Sequence, residues 1–306
     1  MTKTARLDHD RFEFRTLREP SGLRLPNEKS VAVLLTVPIE FFPLDPPAAP
    51  FRPSGALDRQ YPDYWDYANR DYGNRVGIYR LLRAFGELRI AATALVDAEV
   101  VGEYPEMMRA VGAAGWEFAA SGIDRGALHY GDMPPADEAA RVAKALSAVQ
   151  SVSAHRVTGW QSPAQSESFG TLDVLAEAGV RWVSDWVNDD VPYEVKTSSG
   201  KGLTSVPSSF ELSDRNALFQ HDFTVDEYKS QVIDAFEQLC REATPAAPRV
   251  LPLALTPWVS GYPHRIGAVR EMLREIAASE SAVFLTCGAL ADTFEGRGHS
   301  SIMKED

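Results

Sequence analysis

The chain predicts an α/β fold whose parallel sheet closes into a distorted (β/α) barrel. Three observations carry this. Residues 31–37 (VAVLLTV) are apolar without interruption, the pattern of a strand buried on both faces, as a parallel sheet requires. From there to the C-terminal region, short apolar runs of strand length alternate with longer amphipathic runs, which argues βα units. The turn Gly159-Trp160-Gln161-Ser162-Pro163 leads into a helix over 172–179 and then a run over 182–185 ending on Asp185. Polar residues just past strand ends are where such barrels build small-molecule sites.

The elements follow in order. The first strand, 31–37, runs out at Pro38-Ile39-Glu40. Residues 42–72 read as a long loop rich in Pro, Tyr and Asp, and a loop of that length is functional or oligomeric. Asn74 is placed to cap a helix over 75–85, with Val76, Tyr79, Leu81 and Leu82 at helical spacing. A strand over 90–96 precedes a helix over 104–114 stopped by Gly115. The third strand, 116–120, empties into Ser121-Gly122-Ile123-Asp124. Helix 134–152 keeps Asp137, Glu138, Arg141 and Lys144 on its wet side. Strands over 156–160, 182–185 and 203–206 precede a helix over 224–243, for which Thr224 is the N-cap. A strand over 250–255, a helix over 264–278 and a strand over 283–286 complete the pattern. Residues 1–30 read as an N-terminal arm over the surface or a neighbouring subunit, 31–294 as one barrel domain, and 295–306 as a C-terminal tail.

Composition narrows the function. With 306 residues, 44% hydrophobic and 24% charged, the chain can bury one large core. A net charge of -12 without a basic block argues against nucleic acid and anionic membranes as partners. No apolar run reaches bilayer length and the first residues lack the apolar core of a secretion signal. Cys240 and Cys287 are too few and too far apart for a disulfide scaffold, so the expected setting is the reducing cytoplasm. The expected partner is a small-molecule substrate, with no cofactor. The aromatic, acidic stretch Tyr61-Pro62-Asp63-Tyr64-Trp65-Asp66-Tyr67 reads as a lid or an inter-subunit contact, and a homo-oligomer, dimer or tetramer, is expected.

Six segments carry a resemblance. They are Asp71-Tyr72-Gly73-Asn74-Arg75-Val76-Gly77; Ala114-Gly115-Trp116-Glu117-Phe118-Ala119; Gly159-Trp160-Gln161-Ser162-Pro163 with Ser166, Glu167, Ser168 and Thr171; Asp185-Trp186 with Asp189-Asp190 and Pro192-Tyr193; Pro207 with Glu211 and Asp214; and Gly261-Tyr262-Pro263-His264-Arg265. In order and spacing they resemble the polysaccharide-deacetylase (NodB-like) family, and within it the cyclic-amide branch of metal-independent allantoinases and imide hydrolases. The resemblance implies the distorted barrel of the deacetylase type and hydrolysis of a non-peptide carbon–nitrogen bond. It also exposes departures. Where typical metal-dependent members carry two acidic residues after the first strand, this chain keeps only Glu40. The paired metal-binding histidines are replaced by Ser121 and Arg125, and the histidine that acts as general acid by Thr256. A zinc site needs three or four converging donors, so no metal site is expected.

The candidate residues follow from position. Glu40, at a strand end, is the expected proton-transfer group, with a raised pKa. His264 and His129 are candidates to protonate a leaving nitrogen, against packing or solvated roles. Ser121, Asp124, Arg125, Gln161, Ser162 and Thr256 are candidates to bind a carbonyl or carboxylate. Asp185 faces either the site or a subunit contact. Trp160, Trp186 and Trp258 follow strand ends and are expected to wall a flat substrate. The expected activity is metal-independent hydrolysis of a small cyclic amide, imide or ureide. The alternatives are a lyase or isomerase on the same scaffold, or a catalytically degenerate small-molecule-binding homologue.

Overall fold

The structure, a computed structural model, describes residues 9–17, 19, 21–46 and 61–295. Its strands are β1 (Val31–Ile39), β2 (Thr93–Val96), β3 (Glu117–Ala120), β4 (Gly159–Trp160), β5 (Trp182–Val183), β6 (Tyr193–Val195), β7 (Leu203–Ser205), β8 (Arg249–Ala254) and β9 (Ala282–Leu285). Its helices are α1 (Tyr64–Tyr72), α2 (Ile78–Leu88), α3 (Ala98–Glu103), α4 (Pro105–Ala113), α5 (Pro135–Gln150), α6 (Thr171–Glu177), α7 (Val225–Glu242), α8 (Pro257–Ser260), α9 (Ile266–Ala277) and α10 (Cys287–Phe294).

β1 is the spine. All nine of its residues are buried, as its unbroken apolar run predicts. It pairs in parallel with β8 along one edge; along the other it meets β9 over its first half and β2 over its second. The sheet then runs β2-β3-β4-β5-β7-β6, parallel except for the last pair. The sheet curls, and the backbone N–H of Val250 donates to the carbonyl of Asp190 at 3.0 Å, tying β8 to the β5–β6 connection. Alternate β1 residues serve two cores. Val31, Val33, Leu35, Val37 and Ile39 pack with the surrounding helices, while Ala32 and Leu34 join Trp182, Leu290, Leu23 and Leu25 in a second cluster.

Several sequence expectations change. Residues 64–72 are helix rather than loop: the Asp63 side chain accepts from Asp66 N–H at 3.0 Å and starts α1. α1 and α2 are joined by a π-helical turn, Gly73–Gly77, so Asn74 caps nothing. It is buried and donates to the Glu40 carbonyl at 3.0 Å. The glycines of that turn admit α8, since a Cβ on Gly73 would sit 2.7 Å from Trp258 N and one on Gly77 would overlap the Pro257 carbonyl. Gly77→Ala is therefore expected to destabilise the protein by about 1–3 kcal/mol by overpacking, read from the urea midpoint. α3, α10 and β6 have no counterpart in the sequence reading, and Cys287 opens α10 instead of ending a strand.

Between residues 9 and 17 the arm lies on its own chain: Arg11 pairs with Asp173 at 2.9 Å, and the Phe12 ring packs 5.5 Å from Trp186 and 5.2 Å from Tyr193. Residues 296–306 of the expected tail lie outside the described residues. Among the described residues no helix is long and apolar enough to cross a membrane.

Candidate active site

Parallel strands bring their C-terminal ends to one rim, and the first residues past β1, β2 and β3 are Glu40, Asp97 and Ser121. All three are buried. The loop after β3 returns over β1, where Arg125 N–H donates to the Phe41 carbonyl at 2.8 Å. This places the Arg125 guanidinium among the three strand ends. Its Nη2 lies 2.9 Å from Asp97 Oδ1 and 2.9 Å from Ser121 Oγ, and its Nε lies 3.2 Å from Glu40 Oε1. The other Glu40 oxygen accepts from Arg215 Nη2 at 2.6 Å and from the Trp258 indole N–H at 3.1 Å. Arg70, paired with Asp66 at 2.8 Å, lies over the Phe42 and Trp258 rings.

The two carboxyls behave oppositely. Burial pushes Glu40 up, but the adjacent Arg215 and Arg125 charges overcome it and hold the group below its ordinary value. The expectation of a raised Glu40 pKa is therefore corrected: the residue is ionised across the physiological range. Asp97 is pushed up to about 7, because burial outweighs Arg125 and the Glu40 charge adds to it.

A cavity of about 180 Å³ opens here, lined among others by Glu40, Arg125, Gln161, Gln165, Arg215 and Thr256. Gln161 Nε2 donates to the Ser184 carbonyl at 2.7 Å, and Gln165 Nε2 to Ser208 Oγ at 2.9 Å. Gln165 and Ala164 both hold left-handed backbone, φ 56°, a conformation that non-glycine residues keep only where surrounding structure enforces it. Thr256 N–H donates to Asp214 Oδ2 at 2.7 Å, and Ser260 Oγ donates to the same oxygen at 2.6 Å. Burial pushes Asp214 up to about 6.

The structure unites Glu40, Arg125, Gln161 and Thr256 on the cavity, with Ser121 and Trp258 directly behind. Other expectations are corrected. His264 is exposed beside Tyr262, because α9 begins two residues later and turns it outward. His129 is buried away from the cavity: its Nδ1 lies 2.8 Å from Glu138, which also accepts from Ser168 and Thr171, an arrangement that ties α5 to the start of α6. Asp124 caps its own turn by accepting from Gly126 N–H at 2.7 Å. Trp160 is a core residue whose N–H donates to Ser162 Oγ at 3.0 Å, and Trp186 packs under the arm. None of Trp160, Trp186 and Trp258 lines the cavity.

Ser162 and Asp185 serve each other. Asp185 accepts from the Ser162 N–H at 2.7 Å and its hydroxyl at 3.2 Å, fixing the turn that presents Gln161. Burial and the neighbouring Asp185 charge push Glu167 up. The folded pKa of Glu167, about 9, exceeds the ordinary 4.5. Its stability contribution is full below the ordinary value and is lost as pH rises toward the folded one. Glu167→Gln should flatten the decline of the urea midpoint over that window, and an unchanged slope would exclude a raised Glu167 pKa.

Sequence reasoning missed Asp97, Arg215 and Gln165. Asp97 carried a visible signal, since it ends the run Ala94-Leu95-Val96 as Glu40 ends β1. Arg215 had only its place beside Asp214.

The family resemblance implies an ion at this rim in metal-dependent members. The donors here do not suit one. Ser121 and Arg125 stand where the resemblance implies imidazoles, and the Arg125 guanidinium already sits against both carboxylates. Among the described residues no group of three or more His, Cys, Asp or Glu side chains is arranged to hold a metal ion.

The curled parallel sheet with polar strand ends defines a NodB-type distorted barrel with a small-molecule cavity at its rim. Comparison with known proteins agrees. A putative polysaccharide deacetylase from Schizosaccharomyces pombe is 24% identical over 242 residues, 74% of this chain and 75% of that protein. The PuuE allantoinase crystal structure superposes with a TM-score of 0.80 at 20% identity, covering 95% of this chain and 98% of that one. A probable polysaccharide deacetylase from Pseudomonas aeruginosa gives 0.79 at 20% identity, covering 91% and 94%. No family model matches the chain. By these likenesses the chain has the NodB-type fold of those deacetylase and allantoinase structures.

Proposed function

We propose that this protein is a metal-independent hydrolase of a non-peptide carbon–nitrogen bond in a small cyclic amide, imide or ureide. The observation that carries the reading is Glu40, an ionised carboxylate on a cavity at the strand ends, beside guanidinium groups that can receive negative charge. Glu40 holds a water and takes its proton as the oxygen adds to the ring carbonyl. The guanidinium of Arg125, on the cavity wall, receives the charge that develops on the carbonyl oxygen. When the carbon–nitrogen bond breaks, Glu40 passes that proton to the leaving nitrogen, and the carbonyl carbon keeps the water oxygen as a carboxylic acid. A small cavity suits a single ring better than a polymer chain. The S. pombe and allantoinase likenesses support the reaction class.

The test is turnover on a panel of hydantoin, dihydrouracil, succinimide, maleimide and allantoin, using protein stripped with chelator and then supplied with Zn²⁺ or Mn²⁺. Turnover of at least one ring, unchanged by either treatment, is the expected result. Activity that vanishes on stripping and returns with the ion would overturn the metal-independent reading. A second reading is a binding protein without turnover, favoured by the lack of any histidine among the described residues that line the cavity. Saturable binding of a panel member with no product over days would establish it. A product formed without uptake of water would point instead to lyase or isomerase chemistry.

A further inference from the structure

Asp97 and Glu40 are nine-tenths buried or more, leave adjacent strands, and lie against the same side chain. Two such carboxylates at one point need a cation, and the chain supplies its own: Arg125, 2% exposed, reaches Asp97 at 2.9 Å, Glu40 at 3.2 Å and the Ser121 hydroxyl at 2.9 Å. Three strand ends therefore converge on one group. The contacts also divide: Asp97 has no face on the cavity, whereas Arg125 and Glu40 do. Phe41 N–H donates to Asp97 Oδ2 at 2.9 Å, so the carboxyl group beside the guanidinium is itself fixed by the backbone just past β1.

We propose that Arg125 is a built-in cation filling a cation-binding site formed by Asp97, Glu40 and Ser121, and that Asp97 is the positioning residue that holds it toward the cavity. The inference rests on geometry alone and holds whatever reaction the cavity performs. A planar guanidinium suits the place because its fork can bridge two carboxylates at once. It also explains why the rim tolerates two buried acids side by side without a histidine between them.

The proposal predicts that the site stays cation-selective when its own cation is cut away. In Arg125→Ala, millimolar methylguanidinium should raise the melting temperature by roughly 3–5 °C, while urea, its neutral planar counterpart at equal concentration, should not. Wild type should respond to neither. Arg125→Ala combined with Asp97→Asn should lose the response. Mn²⁺ should stabilise Arg125→Ala more than wild type, in which the guanidinium excludes it. If Arg125→Ala fails to fold alone, refolding yield with and without methylguanidinium is the readout. Equal effects of methylguanidinium and urea, a response that survives Asp97→Asn, Mn²⁺ stabilising wild type as strongly, or no gain in refolding would each overturn the proposal.

Discussion

Arg125→Met is expected to lower the unfolding free energy by about 3–5 kcal/mol, because removing one member of a buried ionic group leaves the others without their counter-charge. Methionine keeps most of the side-chain volume, so the loss reports charge rather than a cavity. Asp97, already pushed up to about 7, would take up a proton, and Glu40, still ionised, would keep only Arg215. Arg75→Met is the matched control. Its ion pair with Asp71 spans 3.5 Å with the arginine side chain 72% exposed, and exposed pairs contribute about 0–1 kcal/mol. Urea unfolding of both variants at neutral pH makes the comparison. A loss at position 125 no larger than at position 75 would mean that the guanidinium does not organise the rim.

Glu40→Gln should reduce turnover on the best substrate of the ring panel by about 10²–10⁴-fold, the usual contribution of a positioned proton-transfer group. Glutamine keeps the shape and can still accept from the Trp258 N–H, so circular dichroism should be unchanged. It cannot take a proton from water. The wild-type pH–rate profile should place the Glu40 limb below the ordinary glutamate value, since the two guanidiniums favour the charged form. A limb above that value, or a variant retaining half the wild-type rate, would remove Glu40 from the chemistry.

Much of the fold was legible in the chain. The unbroken run 31–37 announced a strand buried on both faces, and β1 is the central strand. Thr224 caps α7 as expected, and the structure adds Glu227 as its capping-box partner. Residues 64–72 were less legible, because their aromatic and acidic composition resembles a loop, and the Asp63 cap was not read from it. Glu40, Arg125, Gln161 and Thr256 could be found because each stands one to five residues past a strand. The histidines misled for the converse reason: His264 stands two residues before α9, and His129 stands in a loop closed by Glu138. Ordinary sequence distance does not encode which way such side chains turn.

What the chain determined by itself was the alternation of elements and the polar residues at strand ends, Ser121, Arg125 and Thr256 among them. These are local, set by periodicity and residue type. The tertiary structure decided the charge state of Glu40, the partnership of Asp97 with Arg125, and the entry of Arg215 from 175 residues away. Those depend on the electrostatic field at a buried point, which sums over groups that only the closed sheet brings together.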